Sequence, residues 1–381
     1  MSDTPISSIE AHFGSLADPR RVDSRTPHKL LDIIVITICA VICGADSWVA
    51  IESFGQAKYK WLATFLELPE GIPSHDTFGR VFAAIDSTKF EGCFINWICG
   101  AIEVTQGQII AVDGKQLRGS YDTFDNKAAI HLVSAWACTQ GVALGQIKVA
   151  DKSNEIPAIP QLLEVLDVSG CIVTTDAMGC QTEIAQTVVD SDGDYVLALK
   201  GNQGQLHEDV KLLFDGIDSG ELNDVEPDFS QTIDADHGRI ETRTAWTISD
   251  AGLISHLRGS ENFVNLSSVV KVTAQREIND QITVKSRYYI SSLPGDAQQL
   301  LEATRTHWRI ENSCHWVLDV AFREDHSRIR KDNGAENFAI VRRIALNLLK
   351  AETSAKLGVA NKRLKAAWDN DYLTTVLATL F

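Results

Sequence analysis

No two of the eight cysteines stand in a C-x-x-C pair, so the commonest sequence mark of a zinc site is missing. Several of them (Cys39, Cys43, Cys171) lie inside apolar runs, where a cysteine acts as a small core residue. A disulfide framework is not expected in so large a chain. The most apolar stretch, Leu30 to Cys43, contains Asp32 and is about 14 residues long, against the roughly 20 that a bilayer crossing needs. It is read as a buried helix, and no membrane partner is expected. The opening MSDTPISSIEAHF lacks the basic-then-apolar order of a secretory leader, so the expected compartment is the reducing cytoplasm. Positive charge is scarce: 35 Lys and Arg face 51 Asp and Glu, a formal net charge of −16. That balance argues against a simple nucleic-acid binder, whose footprint is basic. Repeats and low-complexity tracts are also missing, which removes solenoid and disordered readings.

What is present is an ordinary globular composition, 44% hydrophobic and 23% charged, over 381 residues. That length suits two or three domains with at least one large core. The charge is uneven. Arg323 to Lys365 holds eleven basic against five acidic residues, whereas Gln205 to Glu241 holds eleven acidic against two basic. Local potential decides where a phosphate backbone lies, so the global sum is weak evidence.

Residues 1–104 read as helical, with turn signals such as Leu68-Pro69-Glu70-Gly71 between apolar clusters and Ser74 as the N-cap of a helix. Near Gln108 the texture changes. QIIAVDG (108–114), AIHLVSAWAC (129–138) and VALGQIKVA (142–150) read as strands; IPAIPQLLEVLD (156–167) follows as a helix. CIVTTDAM (171–178) reads as a strand, TEIAQTVVDS (182–191) as a helix and DYVLALKG (194–201) as a strand. The order β-β-β-α-β-α-β matches a ribonuclease-H-like α/β architecture, a mixed sheet with helices on both faces. Residues 205–293 break this rhythm and read as a β-rich insertion. Helical periodicity returns from Asp296 to Ala321 and from Ala335 to Lys350. The expected organisation is an N-terminal helical domain (1–104), a catalytic domain (105–350) and a C-terminal helical tail (351–381).

That topology converges three acids. Asp113 falls at the end of the first strand, and Asp176 at the end of the fourth, which lies beside the first. Glu311 shares one helical face with His307, His315 and Leu318 after the insertion. Oxygen-only ligation suits Mg2+, with Mn2+ able to substitute. Three carboxylates around two cations about 4 Å apart form a phosphoryl-transfer site.

Longer strings carry a resemblance over almost the whole chain: GADSW (44–48), GIPSHDTFGRVF (71–82), AVDGKQLRGS (111–120), DKSNEIPAIPQLL (151–163), TTDAMGCQ (174–181), YVLALKGNQ (195–203), HWRIENSCHWVLDVAFRED (307–325) and RRIALNLLK (342–350). In these the sequence resembles the insertion-sequence DDE transposases of the ISAs type, the H-repeat-associated proteins. The resemblance implies a ribonuclease-H-like catalytic domain in which Asp113, Asp176 and Glu311 are the metal-binding triad. It implies an enzyme that cuts double-stranded DNA at transposon ends and joins the ends to a target, acting as a homodimer on DNA. Related transposases carry Tyr, Arg and Lys at set spacings around the catalytic Glu; here those places hold Thr304, His307 and Leu318. Two readings of His307 stay open: it stands in for the arginine as a phosphate clamp, or it is a neutral packing residue hydrogen-bonded to a carboxylate, with the Trp308-Arg309 pair and His315 as candidates to take over the phosphate contact.

Chemistry and resemblance together give further candidate DNA contacts: Lys115 and Arg118 past Asp113; Lys152, in a polar knot with Asn154 and Glu155 that reads equally as a solvated N-cap; Lys200, Asn202 and Gln203; Arg309; and Arg342 and Arg343 in the basic segment, for which a helix whose arginines face solvent or pair internally stays open. Trp308 is a candidate for base stacking, whereas Trp316, His131, Trp136 and Cys138 read as packing residues. Two other readings stay open, a catalytically silent DNA-binding relative and a structure-selective nuclease on the same fold.

Overall fold

The computed structural model describes residues 4–20, 28–102, 106–121, 128–150, 154–236 and 238–379. Five helices open the chain: α1 (Ser7–Phe13), α2 (Leu30–Ile42), α3 (Trp48–Leu62), α4 (His75–Ala84) and α5 (Ser87–Ala101). The apolar run read as a buried helix is α2, in which every residue but Leu31 is buried. Its one acid, Asp32, accepts from the backbone N–H of Leu68 at 3.2 Å, so the buried carboxyl fixes a turn. Ser74 caps α4 by accepting from Thr77 N–H, as its position predicts. No described helix is long and apolar enough to cross a membrane.

The middle of the chain follows the expected order: β1 (Ile109–Leu117), β2 (Ile130–Ala137), β3 (Val142–Lys148), α6 (Ala158–Val165), β4 (Ile172–Thr175), α7 (Thr182–Asp190) and β5 (Asp194–Leu199). The acidic stretch after β5 is not strand. It forms α8 (Gly204–Asp218), amphipathic enough to bury Leu206, Val210 and Phe214. Then come β6 (Asp228–Asp236), β7 (Arg239–Ile248), α9 (Ala251–Ser255), β8 (Ser268–Ile278) and β9 (Gln281–Ser291). Asn279 and Asp280, both at positive φ (49° and 62°), make the two-residue turn that joins β8 to β9. The chain closes with α10 (Ala297–His307), a π-helical turn (Glu311–His315), α11 (Trp316–Val320), α12 (Gly334–Ala351), α13 (Val359–Trp368) and α14 (Asn370–Leu377).

The nine strands among the described residues join one mixed sheet in the order β3-β2-β1-β4-β5-β9-β8-β7-β6. β1 pairs antiparallel with β2 and parallel with β4, which is parallel to β5. The strands after α8 continue this sheet through antiparallel pairing of β9 with β5. Helix α12 is buried along almost its whole length and packs against α2, α4, α5 and β3. Its polar residues are placed to suit: Asn347 donates to Ala143 O at 2.8 Å and accepts from Ala143 N–H at 2.9 Å. Asn337 donates to the carbonyls of Phe82 and Ile85. One hydrophobic cluster thereby runs from Ile6 through the sheet to Leu377.

Candidate metal centre

Parallel pairing of β1 with β4 ends at Val112 opposite Thr175. The next residue on each strand is an acid, Asp113 and Asp176, so the sheet brings two carboxylates together by register alone. β1 itself does not end there. It runs on to Leu117 against β2, so Asp113 lies mid-strand and not at a strand end as its Asp-Gly sequence suggests. Asp176 closes a tight turn, its Oδ1 accepting from the N–H groups of Met178 (2.9 Å) and Gly179 (3.3 Å). Asn202 donates to Ala177 O at 2.7 Å and Gln203 to Cys180 O at 2.8 Å. These two side chains, expected on DNA, hold the Asp176 loop instead. Lys200 beside them is exposed.

The third acid comes from a helix that changes its winding where the acid sits. Between α10 and α11 the N–H of Trp316 bonds to Glu311 O, five residues back. Such a π turn inserts extra backbone and re-aims the side chains on it. It brings His315 in, with its side chain 4% exposed, while Glu311 reaches over from the surface. His315 Nδ1 lies 3.4 Å from Glu311 Oε2 and 3.5 Å from Asp113 Oδ2. One ligand atom from each of Asp113, Glu311 and His315 falls within 4.8 Å of the others. This closest group has a histidine nitrogen where the sequence pointed to a third carboxylate oxygen, with Asp176 alongside it. Two carboxylates and an imidazole can hold a divalent cation; the carboxylate oxygens suit Mg2+ or Mn2+, whereas the imidazole nitrogen is a ligand more usual for a softer ion.

Burial raises the Asp113 carboxyl to about 6; His315 opposes the rise, while Asp176 and Glu155 add repulsion. Glu311 is lowered, chiefly by its hydrogen bond with His315. Crowded anions of this kind are costly without a cation among them.

Several residues expected on phosphates are placed elsewhere. Lys115 is buried, its Nζ 2.5 Å from Asp319, 2.8 Å from Glu324 and 3.6 Å from Asp325. Arg342 and Arg343 are 2% and 0% exposed. Arg343 donates to Glu324 Oε1 (3.3 Å), Ala339 O and Ser134 Oγ, and Arg342 stacks on Phe338. A charge within α12 is tolerated there only because Glu324 is buried beside it, so these arginines are structural. His307 is also buried, its Nδ1 3.0 Å from Thr174 Oγ1. Burial lowers its pKa to about 4, so it is neutral at physiological pH and lacks the charge of a phosphate clamp. Thr304 and Leu318 are buried too. Arg118 and Arg309 are exposed, as phosphate contacts require. Lys152 lies outside the described residues. Trp316, expected to pack, is 59% exposed, whereas Trp136 and Cys138 are in the core.

Sequence reasoning misses a basic surface on the strands after α8. Arg243, Arg276, Lys285, Arg287, Arg305 and Trp308 line a cavity of about 230 Å3. A second, of about 490 Å3, shares Arg243, Arg305 and Trp308 and reaches Arg309 and Asn312, next to Glu311. Arg243 and Arg305 pair with Asp234, and Arg243 and Arg276 with Glu241. Arg287 lies over the Trp308 ring at 4.6 Å. Among the described residues Lys285, Arg287 and Arg309 form no ion pair. Period-2 alternation along β7 to β9 puts these cations on one face, but only once the strands are assigned.

The profile described as Transposase DDE domain matches residues 77–348, and one described as DDE_Tnp_1-associated matches residues 10–98. This chain belongs to the DDE transposase family. Two Escherichia coli chains named as candidate transposases are similar over nearly the full length. YncI is 42% identical over 98% of this chain and 95% of its own. The H repeat-associated YhhI is 40% identical over 98% of both. Another, YbfQ, named an inactive transposase, is 50% identical but over only 20% of this chain. Among solved structures, a piggyBac transposase synaptic complex with hairpin DNA aligns over 98% of this chain and 81% of that one, at a TM-score of 0.43 and 12% identity. That likeness is too distant to bear on the site. Family membership implies a DNA-cutting and DNA-joining enzyme, and the acidic group is of a kind that holds divalent metal.

Proposed function

We propose that the chain cuts DNA at insertion-sequence ends and joins them to target DNA by two-metal phosphoryl transfer. Asp113, Asp176 and Glu311 are the metal-holding triad, with Mg2+ as the cation and Mn2+ able to replace it. The convergence carries this reading: two register-matched acids on β1 and β4 meet a glutamate delivered by a π turn. Bound cations would activate the attacking water or 3′-hydroxyl and stabilise the leaving oxygen. The sheet order β3-β2-β1-β4-β5, antiparallel then parallel, supports a ribonuclease-H-like catalytic domain over 105–350. Residues 1–104 are read as the associated helical domain and 351–381 as the tail.

The protein's own contribution is position and charge. The Asp176 turn, held by Asn202 and Gln203, fixes one wall. His315 braces Glu311 and Asp113 from below. The basic cavities beside Trp308 give the phosphate backbone a track to Glu311, while Arg118 and Lys200 offer further exposed cations. The test is a labelled duplex carrying the element's terminal repeat, incubated with Mg2+. The parent should cut at the repeat end. Glu311→Gln should bind the duplex in a gel shift and leave it uncut; equal cleavage by both removes Glu311 from the centre.

A further inference from the structure

An Asp-Gly pair ordinarily marks a turn, yet Gly114, which follows Asp113, pairs with Val133 in the middle of β1 and has no positive φ. Its backbone does not require glycine. Its surroundings do: a Cβ placed there would meet Glu155 Oε1 at 2.0 Å and Cδ at 2.1 Å. The missing side chain is the seat of a buried carboxylate. Glu155 stands just before α6, and its carbonyl accepts the first N–H groups of that helix, from Ala158 and Ile159, so its backbone is anchored. His131 on β2 holds the carboxylate, Nε2 to Oε1 2.7 Å. A fixed acid, 8% exposed, therefore lies against the residue next to Asp113. It is coupled electrostatically to both Asp113 and Asp176. It stands outside the Asp113, Glu311 and His315 group, so it flanks Asp113 apart from the π turn's histidine.

We infer that Glu155 is a fourth carboxylate of the metal centre, sharing one cation with Asp176 while Glu311 and His315 serve the other, so that the free protein holds both cations before DNA arrives. The inference rests on the triad reading above. Mg2+ is usually bound by one or two carboxylates completed by substrate phosphates. With only three acids, two ions would need the DNA to complete the site. The fourth acid gives the ion at Asp176 a second protein carboxylate, with Asp113 between the two ions. The Asp176 Oδ1 atom is engaged by the backbone of its own turn, which leaves Oδ2 for a ligand. Gly114 and His131 are positioning residues: one makes room for the carboxylate and the other holds it.

Mn2+ binding to the full chain without DNA, followed by calorimetry and by the electron paramagnetic resonance signal of free Mn2+, tests this. The parent should bind two Mn2+ per chain. Glu155→Gln keeps the shape and the contact to His131; it should retain one site and weaken the other about tenfold or more. Asp176→Asn should weaken that same site, and Gly114→Ala, which displaces the carboxylate, should reproduce the loss. Circular dichroism checks each fold, and Glu155→Gln decides alone if Gly114→Ala does not fold. Two sites of parental affinity in Glu155→Gln overturn the inference, as does a parent that takes a second Mn2+ only with DNA. Failure of the triad reading is separable: there Asp113→Asn would keep both sites.

Discussion

At one end of the sheet, β1, β2, β4 and β5 are buried for most of their length. At the other, burial runs out along the strands: β9 is exposed over its first seven residues and buried only where it reaches β5. The two ends also differ in charge. The buried end crowds Asp113, Asp176 and Glu155, where low dielectric makes repulsion strong and a cation strongly stabilising. The exposed end spreads Arg243, Arg276, Lys285 and Arg287 over one face, where solvent lets like charges gather with little repulsion. A chain of net charge −16 can thus present a basic track beside an acidic centre. The position of a cation in the sequence does not say which kind it is. The arginines of α12 are locked inside, and those of β7 and β9 face outward.

The largest expected effect lies at the buried end. Asp113→Asn and Asp176→Asn should each cut Mg2+-dependent cleavage about a thousandfold, a barrier change of roughly 4 kcal/mol. His315→Asn, which removes a brace or a weaker ligand, should cost about 10- to 100-fold. Single-turnover rates on a pre-nicked substrate read these directly. A histidine variant as dead as the aspartate variants would put His315 in the triad's place.

A second test asks whether the α12 arginines are structural. Burial alone would raise Glu324, but Lys115, then Arg343 and Arg342, pull its pKa from 4.5 to about 2. A carboxyl lowered on folding stabilises above its unfolded value and loses that stability as pH falls through the folded one. The chain should therefore lose stability between about pH 4.5 and 2. Glu324→Gln leaves buried Arg342 and Arg343 without their anion, and Lys115 with only Asp319 and Asp325; it should cost about 3–5 kcal/mol in urea unfolding at neutral pH, a cost absent at the acid end. Unchanged stability would place Lys115, Arg342 and Arg343 in solvent.

The smallest expected effect belongs to the exposed end. Replacing Lys285 and Arg287 by Ala should lower the slope of log K against log salt by about 1.8, roughly 0.9 for each phosphate no longer neutralised, with little change in melting temperature. Arg343→Met should do the reverse, lowering the melting temperature and leaving the slope alone. If the slope follows Arg343, the track lies along α12.

Much of this is legible in the sequence because local chemistry writes it. The central β and α segments have clear periodicity, and the acids stand out once β1 and β4 are placed side by side. The rest depends on contacts distant in sequence. The stretch holding α8 looks like a polar segment because its apolar residues are few, yet Leu206, Val210 and Phe214 suffice for one buried stripe. Arg342 and Arg343 look basic and available because Glu324, which neutralises them, comes from another element. His307 looks like a clamp when its spacing to Glu311 is counted on a regular helix, and the π turn is invisible to that count. Gly114 looks like a turn signal because the carboxylate that needs its space lies forty-one residues away.

The position of the bound cation is the central question. A crystal of the full chain grown with Mn2+ and measured at the manganese absorption edge locates it. The expected anomalous density has one peak between Asp113 and Glu311, bounded by His315, and a second on the Asp176 side, where Glu155 would share it. A strong peak held by other residues, or an empty centre in a crystal that carries Mn2+ elsewhere, would contradict the metal-centre reading.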